Sequence, residues 1–395
     1  MDTEALPPAP GAGPETAPTS APAADTAHHR VSWPARILLA TAIVVVLAII
    51  AGFVIRVPYT TIAPGEALSL PPRISVHGAE SFPDGRGDIR LLFVREANHV
   101  NLWQYVRARL DSDIDLVKDA VVNPGNLTGA QLNAQGLEAM AEAKIAATVV
   151  AMREAGYTVT PAPGLRVTDL TPGMPAIDAL QWGDVVYAAD GKAVNQPTEL
   201  SAAIDKHKVG ESVTLDIERD GKRMTVPVKV APCPACGGTE PRRGIGVEVV
   251  PRYDLPFSVN VDTTGIGGPS AGLAMALSIT DALTPGNLTG GKRVAVTGTI
   301  DPDGNVGEIG GIEQKAVAAR AAGVKMFLVP ECSPDDPKSA LEQCRADLDR
   351  ARKRVGSTVE VIPVATFKEA LQALEKAGGA PVSTTVPASA AKAAA

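Results

Sequence analysis

Between Arg36 and Arg56 the chain runs for nineteen residues, Ile37 to Ile55 (ILLATAIVVVLAIIAGFVI), without a single charge. A water-facing helix needs a polar face, and this run has none to offer. At 1.5 Å per residue it makes a helix roughly 28 Å long, which is about the thickness of a bilayer's hydrocarbon core. A cleaved signal peptide is the competing reading. Its apolar region is usually only ~7 to 15 residues long, and no Ala-x-Ala site closes this run. Residues 33–56 are therefore predicted to form a retained transmembrane helix. The flanking charges nearly cancel as a topology signal, with Arg30 and Arg36 before the span and Arg56 and Arg73 after it.

The cysteines supply the missing direction. Cys233 and Cys236 form one close pair and Cys332 and Cys344 another, with no histidines at zinc-finger spacing, so no metal site is expected. Disulfides and free thiols both remain open on spacing alone. Disulfides persist outside the cytosol, which favours a cytoplasmic N-terminus and an extracytoplasmic body. The net charge of -7 argues against a nucleic-acid partner. Residues 1–32 are rich in Ala, Pro, Thr and Gly and read as a disordered cytoplasmic tail; 379–395 read as a second disordered tail. At 395 residues the chain has room for two globular units between them.

After the span, Val57 to Leu70 reads as an extended connector broken by Pro58 and Pro64. Strand-like runs follow at Arg73–His77 and Asp88–Val94, separated by the turn Pro83-Asp84-Gly85. Gln131 to Ala155 is the longest amphipathic helix pattern in the chain. From Gly164 the texture becomes strand and turn, with hairpin signals at Asp190-Gly191 and Asp220-Gly221.

The segment from about Gly164 to Ala231 resembles a bacterial PDZ domain. The resemblance rests on Thr171-Pro-Gly-Met-Pro-Ala176, Leu180-Gln-Trp-Gly-Asp184-Val-Val and Ala189-Asp-Gly-Lys-Ala-Val194. It implies a module that adds a peptide strand to a sheet edge, with Gly164, Leu165, Arg166 and Val167 as the peptide-binding strand and its loop. Pro161 and Pro163 depart from the usual loop.

Gly265 to Thr280 (GIGGPSAGLAMALSIT) is a glycine-rich turn carrying Ser270, followed at once by an apolar helix pattern. A serine on such a turn holds its hydroxyl outward, and the unpaired N–H groups near Gly268 and Ser270 suit an oxyanion. The same residues also suit a plain N-cap before a core helix. A nucleophile needs a base, and no histidine lies convincingly at hand. The helix pattern Ile312 to Gly323 offers Lys315 instead, on the apolar stripe of Ile312, Ala316 and Ala319. Burial disfavours a charged amine and turns it into a base, whereas a lysine at the stripe's margin snorkels to water. Periodicity alone does not separate the two.

Gly268-Pro-Ser-Ala-Gly272, Thr297-Gly298 and Gly307-Glu-Ile-Gly-Gly-Ile-Glu-Gln-Lys315, in that order, resemble the proteolytic domain of the Lon protease family. The resemblance implies that Ser270 is the nucleophile, Lys315 its base and Thr297 a residue that orients the lysine. It covers about Gly244 to Ala377 and extends back to Met140–Ala147. Two positions depart from the family pattern: Gly267 stands where an acidic residue is common, and Thr299 where a glutamate is. No G-x-x-x-x-G-K-[ST] phosphate loop occurs, so no ATP-driven unfolding and no cofactor is expected.

The expected organisation is an α+β protein with mixed sheets and packed helices. Its parts are a tail (1–32), a transmembrane helix (33–56), the N-terminal part of a Lon-like domain (57–158), a PDZ module (159–232), a linker (233–243), the Lon-like domain proper (244–378) and a tail (379–395). The expected activity is that of a membrane-anchored serine endopeptidase, ATP-independent, with a Ser-Lys dyad acting on unfolded or flexible extracytoplasmic protein segments. The competing class is a non-catalytic scaffold at the membrane. Lon-like domains assemble as rings, so the resemblance raises a homo-oligomeric ring, a hexamer, as the assembly to test for.

Overall fold

The computed structural model describes residues 33–82, 87–123, 128–233, 242–334 and 336–383. The tail expected at 1–32, most of that at 379–395, the turn Pro83-Asp84-Gly85 and nearly all of the linker 233–243 lie outside these residues. Helix α1 (Trp33–Val54) carries no charge after Arg36 and is long and apolar enough to cross a membrane. Ile55 to Ala395 form a separate compact unit.

That unit contains two sheets of six strands. The first has the order β18-β17-β14-β3-β1-β4, built from β1 (Tyr59–Ser69), β3 (Asp88–Ala97), β4 (Asp115–Lys118), β14 (Arg293–Val296), β17 (Met326–Pro330) and β18 (Glu360–Val364). The segment expected to be a connector is thus β1, an internal strand paired antiparallel to both β3 and β4. Pro64 does not prevent this, because the β1/β3 register shifts between Pro64 and Ala67. A bulge tolerates a residue that has no N–H to donate. The four strands β3, β14, β17 and β18 run parallel.

Parallel strands buried on both faces should read as continuous apolar runs, and β14 and β17 do. Val294, Val296, Met326 and Leu328 point to one core, while Ala295, Phe327 and Val329 point to the other. On the first face lie α4 (Gly129–Glu154), α6 (Gly272–Leu283) and α9 (Phe367–Lys376). The opposite face is covered by α7 (Ile312–Ala321) and α8 (Lys338–Val355). Helices α4 and α6 approach closely because Ala143, Ala147 and Ala151 present little bulk. Fully buried Met152, Leu273 and Phe327 each contribute about 1.5–3 kcal/mol by leaving water. Two short pairings complete this part: β2 (Ile74–His77) with β13 (Ser258–Val261), and β15 (Thr299–Ile300) with β16 (Val306–Gly307). Helices α2 (Leu102–Leu110) and α3 (Asp119–Val122) flank β4.

The second sheet has the order β12-β5-β6-β8-β9, with β7 (Lys192–Ala193) added to β6. Its strands are β5 (Thr160–Leu170), β6 (Val185–Ala189), β8 (Ser212–Arg219), β9 (Lys222–Lys229) and β12 (Val247–Asp254), with α5 (Pro197–Ile204) beside them. Leu165, Val167, Val186, Leu215, Ile217 and Ile245 form its own core. At the described ends of the expected linker, β10 (Ala231–Cys233) pairs with β11 (Arg242–Gly244). The strand that closes this sheet, β12, comes from beyond the boundary expected at residue 244. The chain enters the unit from α4 and leaves it towards α6, two helices that pack on each other in the first core.

Candidate active site

Ser270 sits in a single 3-10 turn, Pro269–Ala271, that opens directly into α6. The turn lies close against the β15 strand because position 272 is glycine. A Cβ there would come within 2.9 Å of the Ile300 backbone nitrogen. Two backbone bonds fix it further: the Gly298 N–H donates to the Ser270 carbonyl at 2.9 Å, and the Leu273 N–H to the Gly298 carbonyl at 3.0 Å. Ser270 is half-buried, so its hydroxyl is held but reachable.

Lys315 approaches from the other side of the sheet. Its helix, α7, covers the face opposite α6, and the side chain is only 2% exposed. The two helices meet where β14 ends, and Thr297, the next residue, is fully buried. Lys315 Nζ lies 3.0 Å from Ser270 Oγ and 3.0 Å from Thr297 Oγ1. The Thr297 hydroxyl in turn donates to the Ser270 carbonyl at 3.3 Å.

Burial lowers the Lys315 pKa from 10.5 to about 8, and the Glu96 carboxylate acts in the opposite direction. A neutral amine has two N–H donors and one lone pair. Thr297 Oγ1 accepts one N–H while its own hydrogen is engaged on the Ser270 carbonyl, so Thr297 does not compete with the serine hydroxyl for the amine's lone pair. That is the arrangement a proton acceptor for Ser270 requires.

Gly268 does not stand as expected. Its N–H donates to the Gly136 carbonyl of α4 at 2.7 Å, so this donor is already committed. The donor that has no preceding intrahelical acceptor is instead the Ser270 N–H, at the start of the 3-10 turn. The same contact accounts for the departure at 267: a Cβ on Gly267 would meet the Gly136 backbone carbon at 3.2 Å. The glycine lets the serine turn rest on α4. Thr299 is half-buried in β15, opposite Gly307.

The peptide-binding strand expected in the second unit is corrected. Gly164, Leu165, Arg166 and Val167 belong to β5, and both edges of β5 are taken. Leu165 and Arg166 pair with β6, and Leu165, Arg166 and Val167 pair with Pro251, Val250 and Val249 of β12. A strand paired on both sides has no ladder to offer a peptide. The ends of this sheet are β12 and β9, and of the two it is β12 that follows the loop Gly244-Ile245-Gly246, lies next to β5 and runs beside α5. Sequence reading missed it because both segments begin with glycine and an apolar residue. Only the pairing distinguishes them. Gly136 and Glu96 were missed too, and nothing local in the sequence marks either.

Residues 243–374 match the family model of the Lon protease (S16) C-terminal proteolytic domain, and residues 140–230 that of the PDZ domain. Similar curated proteins include the Lon protease of Neorickettsia sennetsu, 35% identical over 118 residues, which are 30% of this chain and 13% of that protein. The Lon protease of Trichlorobacter lovleyi is 40% identical over 110 residues, 28% of this chain and 12% of that protein. The match therefore spans about an eighth of the length of these relatives. Among solved structures, the PDZ domain of an SdrC-like protein from Listeria monocytogenes is 25% identical over 23% of this chain and 92% of that one, with a TM-score of 0.21. The two family matches identify a chain that carries a Lon-type proteolytic domain together with a PDZ domain.

Proposed function

We propose that the chain is a membrane-anchored, ATP-independent serine endopeptidase with Ser270 and Lys315 as its dyad. The observation that carries this reading is the 3.0 Å approach of Lys315 Nζ to Ser270 Oγ, by a lysine buried enough to be neutral near pH 8. In the reaction, Ser270 Oγ attacks the scissile carbonyl as Lys315 Nζ takes its proton. The tetrahedral oxyanion accepts a hydrogen bond from the Ser270 N–H at the start of the turn. The ammonium then gives the proton to the leaving amine, and water hydrolyses the acyl-serine by the same proton route. Thr297 keeps the amine aimed throughout. The chain's 395 residues carry no phosphate-binding loop, so it favours substrates that are already unfolded or flexible.

Peptide recruitment falls to the edge of β12, with α5 as the opposite wall and the Gly244-Ile245-Gly246 loop at its head. The Cys332–Cys344 disulfide, with Cys233 also disulfide-bonded, supports an extracytoplasmic body behind α1 as the anchor. The test is cleavage of an unfolded protein by Ser270→Ala and, separately, Lys315→Ala, alongside labelling by a fluorophosphonate. Activity is expected to vanish in both variants and labelling to require Ser270. Undiminished cleavage by either variant would sink the dyad.

A further inference from the structure

The chain leaves α1 through Ile55-Arg56-Val57, and backbone bonds tie these residues to one corner of the folded unit. The Leu102 N–H donates to the Ile55 carbonyl at 3.2 Å, the Val57 N–H to that of Val100 at 2.9 Å, and Arg56 bridges Asn101. Asn101 caps α2 reciprocally with Gln104, each side chain accepting from the other's backbone N–H at 2.8 Å. A capping box of this kind fixes where a helix starts. Helix α2 therefore begins one hydrogen bond away from the residue that follows α1, whichever way α1 points.

The sequence of α2, LWQYVRARL, buries Ala108 and half-buries Tyr105, whose ring packs edge-on against Tyr59 at 5.2 Å. Its outward side is apolar: Leu102, Trp103, Val106 and Leu110 are 37%, 42%, 39% and 84% exposed. At 3.6 residues per turn these four span an arc of about 100°, with Arg109 about 20° beyond one margin and Arg107 about 40° beyond the other. Both arginines are exposed. Val121 of α3, 70% exposed, belongs to the same corner, since the Asp119 N–H donates to the Pro58 carbonyl. The nearby carboxylates are engaged: Asp113 by Arg354 and Asp119 by the Thr60 hydroxyl.

A water-facing surface gains nothing from an apolar arc with cationic margins. The pattern fits a helix lying in a membrane interface, its apolar side among the upper acyl chains and its arginines reaching the phosphates. We propose that α2, helped by Val121, docks on the phospholipid surface beside the point where the chain enters the bilayer. The proposal rests on the reading of α1 as a membrane anchor. It commits to lipid rather than to a second copy of the chain, because the anchor holds this corner at the bilayer at all times.

The test uses the full chain with Trp33→Phe and Trp182→Phe, which leaves Trp103 as the sole emitter among three tryptophans. The protein is reconstituted in phosphatidylcholine–phosphatidylglycerol vesicles. Lipids brominated near the headgroup end of the acyl chain are expected to quench Trp103, and aqueous acrylamide to lose most of its effect relative to detergent solution. Adding Leu102→Gln, Val106→Gln and Leu110→Gln should reverse that preference while leaving resistance to carbonate extraction and peptidase activity in detergent unchanged. Trp103 open to acrylamide in carbonate-resistant protein overturns docking and leaves the anchor standing. Protein released by carbonate overturns both. Trp103 shielded from both quenchers means that a second copy covers α2, which also overturns the proposal.

Discussion

Lys315 is held 2% exposed on the apolar side of α7, where a protonated amine finds little water, and its pKa falls from 10.5 to about 8. Wherever the amine is protonated in the fold, that displacement costs about 3 kcal/mol. Between about pH 8 and 10.5 the unfolded chain binds more protons than the folded one, so stability is expected to rise with pH across that window. Lys315→Met should abolish cleavage and raise stability at pH 7 by about 1–3 kcal/mol, read from denaturant midpoints. Activity should follow the opposite protonation state to the ammonium. The kcat/KM of the native protein is expected to climb tenfold per pH unit up to about pH 8 and then level off. Glu96 favours the ammonium, so Glu96→Gln should move that limb to lower pH. Thr297→Val keeps the volume but removes the acceptor that directs Nζ. A loss of about 10–100-fold in kcat is expected, largely restored by Thr297→Ser, with the pH profile displaced in the valine variant alone. The stripe on which Lys315 falls is readable from i, i+4 spacing. Its 3.0 Å approach to Ser270 is not, because that depends on two helices from opposite faces of a sheet converging at the end of one strand.

At the scale of elements, most helices and strands were legible from periodicity and turn residues. The exceptions share a cause. β1 contains a proline, Pro64, at a place where a bulge absorbs it, and β12 resembles β5 until the ladder shows which one is at the edge. The second sheet is pinned at a turn by Asp184, itself 2% exposed, whose carboxylate accepts from Arg219 at 2.6 Å and from the Gln181 N–H at 2.8 Å. Asp184→Ala strands the guanidinium and the turn's N–H. A loss of about 2–4 kcal/mol is expected, seen as a lower midpoint for the PDZ part in thermal or denaturant unfolding. Because β12 leads through β13 into the Ser270 turn, a peptide laid along β12 is expected to alter the cleavage rate of a short reporter that is too small to reach the groove itself.

For the whole molecule, the Cys332–Cys344 bond closes a loop with a sequence separation of 12 and fastens α8 to the segment after β17. Reduction by dithiothreitol is expected to lower stability by about 2–3 kcal/mol, measurable as a shifted unfolding midpoint. The ring assembly implied by the Lon resemblance is checked by sedimentation of the reconstituted chain. A purely monomeric boundary at concentrations where the enzyme is active would exclude it. By itself, the sequence determined what short-range chemistry determines: an uncharged run too apolar for water, a lysine on an apolar stripe, and a serine on a glycine turn before a core helix. The tertiary structure decided whatever depends on which distant segments meet. It put β12, not β5, at an edge of its sheet, tied the Gly268 N–H to Gly136, and joined Ser270, Thr297 and Lys315 at the end of β14. Such pairings are chosen by packing over the whole chain, where each local pattern admits several partners and only one arrangement buries all three cores.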